Sequence, residues 1–184
     1  MGIAIPQVIT DRSGAQIIDG SLKFDNDAKS YLTRTPSSAG NRRTFTIAVW
    51  CKRASFATMP FLQANPSTNP YLNFAFVSDV LRILDGANSH KYETDAILRD
   101  IGWYHVIFAV DTTQATASDR AKIYINGENQ DLTITNGTFS QNYETQVNAT
   151  TEHRIGRWLG SSNYYWDGNL SNYYFIDGQA LDAS

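Results

Sequence analysis

The stretch YYWDGNLSNYYFIDGQAL, residues 164–181, crowds aromatic rings around two Asp-Gly pairs. An Asp-Gly pair suits the positive φ of a tight turn, so the two pairs read as turns bounding one strand, residues 169–176. Period-two alternation sends Tyr173 and Phe175 to one face of that strand and Tyr174 and Ile176 to the other. Both faces are then apolar, which places the strand in a core. Aromatic rings bury large areas and dominate sandwich interiors, so Trp166, Tyr173, Tyr174 and Phe175 are expected inside.

The same period recurs outward from this strand. Residues 44–52 alternate cleanly and put the single cysteine, Cys51, with Phe45, Ile47 and Val49, where it acts as a small buried hydrophobe. Residues 71–77, 80–84 and 121–125 read as further strands, the last with Ile123 and Ile125 opposite Lys122 and Tyr124. The run WYHVIFAV, residues 103–110, is too continuously apolar for a one-sided strand and belongs in the middle of a sheet. Turn pairs at Asp19-Gly20, Asp85-Gly86, Asn126-Gly127 and Asn136-Gly137 separate these runs and imply antiparallel hairpins. No stretch carries a capped apolar stripe of helical period, although residues 93–101 have room for one helical turn. The expectation is a single all-β domain over 1–184, a two-sheet antiparallel sandwich with residues 1–20 as a lead-in.

Composition excludes several classes of function. The chain carries a formal net charge of −3 with no block of Lys or Arg, so it offers no footprint for nucleic acid. The opening residues lack a basic region followed by an apolar stretch, so neither secretion nor membrane insertion is expected. A retaining glucanase needs carboxylates about 5 Å apart on one face. Glu93 and Asp95 alternate, but with no third acid and with Lys91 nearby they read as a solvated strand; no enzymatic activity is expected. His90, His105 and His153 are scattered without zinc-ligand spacing. The loop residues Asp25, Asn26, Asp27, Asp79, Asp111 and Asp119 form no defined calcium-loop signature, so no cofactor is expected and calcium is the alternative they leave open.

The order of landmarks then resembles a known family. SLKF at 21–24, the 44–52 strand with Trp50, WYHVIFAVDTT at 103–113, AKIYINGE at 121–128, HRIGRW at 153–158 and DGNLSNYYFIDGQAL at 167–181 resemble a laminin-G-like domain of the concanavalin-A-like jelly-roll superfamily. YLTRTPSSAGNRRTFTIAVWCKR at 31–53 and DTTQATASDR at 111–120 are similar to the form of this domain in structural and tail-fibre proteins of marine tailed bacteriophages. The resemblance implies two stacked, curved antiparallel sheets, a fold used to bind glycans or proteins. It also implies a virion location and other virion proteins as partners, with self-association left open.

Two polar stretches, residues 111–120 and 136–153, are candidate functional loops, since loops on a rigid sandwich carry recognition. The expected ligand-binding set is Trp158, Asn163, Tyr164 and Tyr165, which flank or belong to the Gly160-Ser-Ser-Asn163 loop. At least one of those rings is expected to stack on a hexose while Asn163 supplies hydrogen bonds. The functional expectation is a non-catalytic virion domain that binds host-surface glycan weakly and in many copies. The alternative is a purely structural virion domain that contacts proteins and binds no sugar.

Overall fold

The computed structural model describes residues 19–66, 69–87, 89–159 and 163–183. All of the expected lead-in except Asp19 and Gly20 lies outside the described residues.

A six-stranded sheet contains β1 (Leu22–Phe24), β3 (Thr44–Arg53), β8 (Trp103–Asp111), β9 (Ala121–Ile125), β10 (Glu128–Asn129) and β15 (Gly168–Asp177), in the order β1-β15-β3-β8-β9-β10. A seven-stranded sheet contains β2 (Leu32–Arg34), β4 (Met59–Ala64), β5 (Leu72–Val77), β6 (Val80–Asp85), β7 (His90–Thr94), β11 (Leu132–Thr135) and β12 (His153–Ile155), in the order β11-β7-β6-β5-β4-β12-β2. A separate hairpin is formed by β13 (Arg157–Leu159) and β14 (Asn163–Tyr165). Every pairing among them is antiparallel. The fold is the two-sheet antiparallel sandwich that the alternation predicts, in the jelly-roll form that the resemblance implies.

The core follows from β3 and β8, which pair without interruption from Thr44–Asp111 to Lys52–Trp103. Phe45, Ile47, Val49 and Cys51 point inward and are fully buried, as do Val106, Phe108 and Val110 of β8. The apolar run of β8 therefore sits inside its sheet, between β3 and β9. Phe61 lies 5.4 Å from Phe108 across the sandwich, 5.4 Å from Phe76 of its own sheet and 4.7 Å from Trp166, centroid to centroid. Alternation also sends Arg53 inward, where it is buried. The charge is tolerated because its guanidinium donates to the Ser78 and Leu98 carbonyls and lies 4.2 Å from the Phe76 ring.

The structure corrects five expectations. Tyr174 is 59% exposed rather than buried, because β15 carries a bulge between Ser171 and Tyr174 with Asn172 at φ 46°. The extra residue turns Tyr174 to the outer face opposite Ala48, while Tyr173 packs against the core. Phe175 does point inward and stacks on Phe45 at 6.0 Å, but it lies at the open side of the sandwich and stays 38% exposed. Asp167-Gly168 is not a hairpin turn: Gly168 starts β15 at φ 135°, and a Cβ there would lie 2.1 Å from the Lys52 carbonyl oxygen. Residues 93–101 contain no helical turn; they run from the end of β7 into irregular chain. Residues 136–153 are not a displayed loop either. Phe139 and Val147 in that stretch are fully buried, and Arg42 donates to the Thr145 carbonyl at 2.7 Å, so the segment closes one end of the core.

Trp166 is fully buried against Phe61 and Phe76. Trp166→Ala is expected to lower the unfolding free energy by about 3–5 kcal/mol in denaturant melts. A loss below about 1 kcal/mol would contradict its place in the core.

Candidate functional site

The hairpin that carries the expected ligand residues is hydrogen-bonded on the outer face of the seven-stranded sheet by a buried side chain of β4. Gln63 of β4 is fully buried, accepts from the Leu159 N–H at 2.8 Å and donates to the Leu159 carbonyl at 3.3 Å. Its amide thus satisfies both backbone groups of Leu159 as a neighbouring strand would.

Within the hairpin Arg157 faces Tyr165, Trp158 faces Tyr164 and Leu159 faces Asn163. Alternation therefore divides the expected set between two faces. Trp158 and Tyr164 lie on one, stacked at 5.1 Å and 29°, with the Arg82 guanidinium 5.3 Å from the Trp158 ring. Trp158 is only 9% exposed, so of this pair only the half-buried Tyr164 faces solvent appreciably. Asn163 and Tyr165 lie on the other face, where Tyr165 is also 9% exposed. Two of the three expected rings are therefore packing groups, and Gly160, Ser161 and Ser162 lie outside the described residues.

The second face gathers two residues that sequence reasoning missed, Tyr31 and Arg157. The Arg157 guanidinium sits 4.8 Å from the Tyr31 ring and 5.4 Å from the Tyr165 ring, and the rings are 6.3 Å apart. Its Nη2 donates to Asn163 Oδ1 at 3.4 Å. Alongside, Arg154 grips Glu152 with Nε and Nη2 at 2.8 and 3.0 Å, and Thr33 donates to the same carboxylate at 2.9 Å. The Arg154 hydrogen bond holds the Glu152 carboxyl below its usual range, helped by Thr33 and the charges of Arg154 and Arg157 against the opposing effect of burial. Tyr31 precedes β2 and is 37% exposed, so its ring is the open part of the cluster. An exposed ring beside an amide and a guanidinium offers an apolar face with directional donors at its rim, and no nucleophile. The carboxylates weighed for catalysis are engaged elsewhere: Glu93 pairs with Arg82 at 3.7 Å and Asp95 accepts from Thr133 at 2.7 Å. Of the loop acids, Asp25 accepts from backbone amides of its own turn, Asp79 pairs with Arg99 and Asp119 with Lys122.

The profile of the laminin-G-like family described as the concanavalin A-like lectin/glucanases superfamily matches residues 25–184. The chain belongs to this family. No curated protein matches it significantly. Among solved structures, the native heptameric SAP-like pentraxin of Limulus polyphemus is similar with a TM-score of 0.63 and 18% identity, over 88% of this chain and 76% of the pentraxin. The carbohydrate-binding module CBM40 of the Ruminococcus gnavus IT-sialidase, bound to α2,3-sialyllactose, is similar with a TM-score of 0.60 and 12% identity, over 88% of this chain and 89% of the module. Domains LG4-5 of the mouse laminin α1 chain give a TM-score of 0.59 and 11% identity, over 90% of this chain and 44% of theirs.

This jelly roll also has a cleft of about 850 Å³ at its open side, between β2 and β12 of one sheet and β15 of the other. Leu62, Ile155, Tyr173 and Phe175 line it, and Asn148 and His153 stand at its polar end. His153 Nε2 accepts from the Asn148 N–H at 3.0 Å and Nδ1 lies 2.8 Å from the Thr151 carbonyl, a pairing that suits the neutral ring with its proton on Nδ1. Burial pushes the His153 pKa below its ordinary 6.5, the Arg34 charge adds to this, and the Thr151 contact opposes it. The unfolded chain therefore binds this proton more tightly, so stability falls as the pH drops through about 6.5 towards the depressed folded value. Tm should decline between about pH 7.5 and 5, and His153→Gln should flatten part of that decline. A parallel decline in both proteins would assign it to other groups.

Proposed function

We propose that the domain is a non-catalytic glycan-binding module, and that the face built from Tyr31, Arg157, Asn163 and Tyr165 is where sugar docks. The observation that carries this reading is the exposed Tyr31 ring set beside Asn163 and Arg157, an apolar surface rimmed by donors. A carbohydrate-binding module and laminin G domains of the same fold support it. Trp158 and Tyr164 of the originally expected set serve on the opposite face, Trp158 as a backing ring and Tyr164 as a partly open one.

A shallow platform buries few ligand atoms, and its contacts must offset lost freedom and desolvation. Dissociation constants near about a millimolar follow for a single site, so attachment depends on many copies. The similarity of residues 31–53 and 111–120 to marine phage tail and structural proteins supports a virion surface as the place of display. A heptameric pentraxin of the same fold supports assembly with sister subunits. A specific observation also favours the structural alternative: Tyr174, with Trp50 and Ile176 beside it on the outer face of the six-stranded sheet, is a solvent-facing apolar group suited to a protein contact.

In a test with a multimeric display of the domain, host-derived polysaccharide should be retained, and Tyr31→Ala should abolish retention while Tm stays within a few degrees. Retention that survives Tyr31→Ala but is lost in Tyr164→Ala would move the site to the Trp158 face. If no polysaccharide is retained while virion proteins are, the structural alternative stands. Incubation with β-glucans should release no reducing sugar; turnover abolished by Glu93→Gln would refute the non-catalytic reading.

A further inference from the structure

The charge on the Tyr31 face is unbalanced at one residue. Arg154 takes Glu152 in a two-point grip that Thr33 completes, and Arg82, on the Trp158 side of the hairpin, pairs with Glu93. The Arg157 charge helps hold the Glu152 carboxyl below its usual range, but among the described residues no carboxylate lies within ion-pair distance of Arg157. A guanidinium has five N–H donors. The 3.4 Å contact with Asn163 occupies one of them, and Nε is buried without an acceptor among the described residues. Tyr31 and Tyr165 stabilise the cation through their rings, which supply no acceptor in the guanidinium plane. This arrangement also fixes where the cation sits, so an incoming acceptor group meets a side chain that has little freedom left to lose.

Resting on the glycan-binding reading above, we infer that the face selects carboxylated sugars, with Arg157 taking the carboxylate in its fork while Tyr31 supports the sugar ring. A planar carboxylate matches the in-plane pair of guanidinium donors, and such charge-assisted pairs are stronger than neutral hydrogen bonds. The whole chain has a net charge of −3, so retention of an acidic polymer does not follow from bulk charge. It needs a local cationic contact of this kind.

The test displays the full chain as a multimer and measures retention of polygalacturonate, alginate and hyaluronan, each beside its carboxyl-reduced form, with dextran sulfate as a separate arm. The expected result is tighter binding to at least one carboxylated polymer than to its reduced form, by on the order of tenfold. Arg157→Gln should erase that preference, and Arg157→Lys should restore only part of it, because an ammonium lacks the fork. Tm of both variants establishes that they are folded; if Arg157→Gln is not, Arg157→Lys carries the comparison. The inference is overturned if carboxyl reduction has no effect, if Arg157→Gln keeps the preference, or if dextran sulfate is held as tightly as the carboxylated polymers. Binding to reduced polymers that depends on Tyr31 alone would leave the glycan reading in place and remove the carboxylate. Binding to none of the polymers, while host-derived polysaccharide is retained, removes the carboxylate as well. Retention of neither sinks both.

Discussion

The contact of Phe61 with Trp166, 4.7 Å between rings, connects the parts of the molecule that matter for its surface chemistry. Phe61 belongs to the seven-stranded sheet, meets Phe108 of the other sheet, and so marks the middle of the sandwich. Trp166 belongs to neither sheet. It follows the hairpin β13–β14 and precedes β15, so its burial fixes where the chain leaves the outer face and re-enters the six-stranded sheet. Its backbone is fixed as well: the Trp166 N–H donates to the Gly156 carbonyl at 2.8 Å, and Gly156 has φ 81° with Phe24 close enough that a Cβ would sit 2.8 Å away. The hairpin is thus tied at its base by core packing and across its body by Gln63, which limits how far Arg157 and Tyr165 can move.

Much of the fold was legible because the strands of the six-stranded sheet are long and strongly patterned. The alternation of β3 and the unbroken apolar run of β8 both report their positions directly, and the Asn126-Gly127 and Asn136-Gly137 pairs do adopt the positive φ that their residue types allow. What was not legible was where period two breaks. Nothing in SNYYF announces that Asn172 takes φ 46° and absorbs a residue, yet that bulge decides whether Tyr173 or Tyr174 is inside. The burial of every residue in β4 was equally hidden, since Gln63 is covered by the hairpin lying over the sheet, which no local pattern of β4 encodes.

The candidate site was half visible for the same reason. Its residues on the hairpin are close in sequence, and the aromatic cluster around residues 158–165 marks the segment as unusual. The division of that cluster between two faces depends on the register Arg157–Tyr165, and Tyr31 reaches the site only because β2 pairs with β12. The available signal was the alternation of HRIGRW against NYY, which puts Arg157 on the side of Tyr165 rather than of Trp158.

The edge strand β2 gives the site a further physical property. It is three residues long, wholly exposed, and pairs only with β12. On the outer face the contacts that hold it are those of the site itself: Thr33 on Glu152 and the adjoining Tyr31 on Arg157. Leu32 and Arg34, with the opposite orientation, line the cleft at the open side. A ligand touching Tyr31 and Arg157 together would bridge β2 and β13, adding to the sparse bonds that close this edge. Binding then stabilises the folded state by mass action, and local opening of β2 competes with binding because it carries Tyr31 away from the guanidinium. If the proposed glycan docking holds, weak single-site affinity would follow from this coupling as much as from the shallowness of the platform, since part of each contact's free energy would go into ordering a three-residue edge strand.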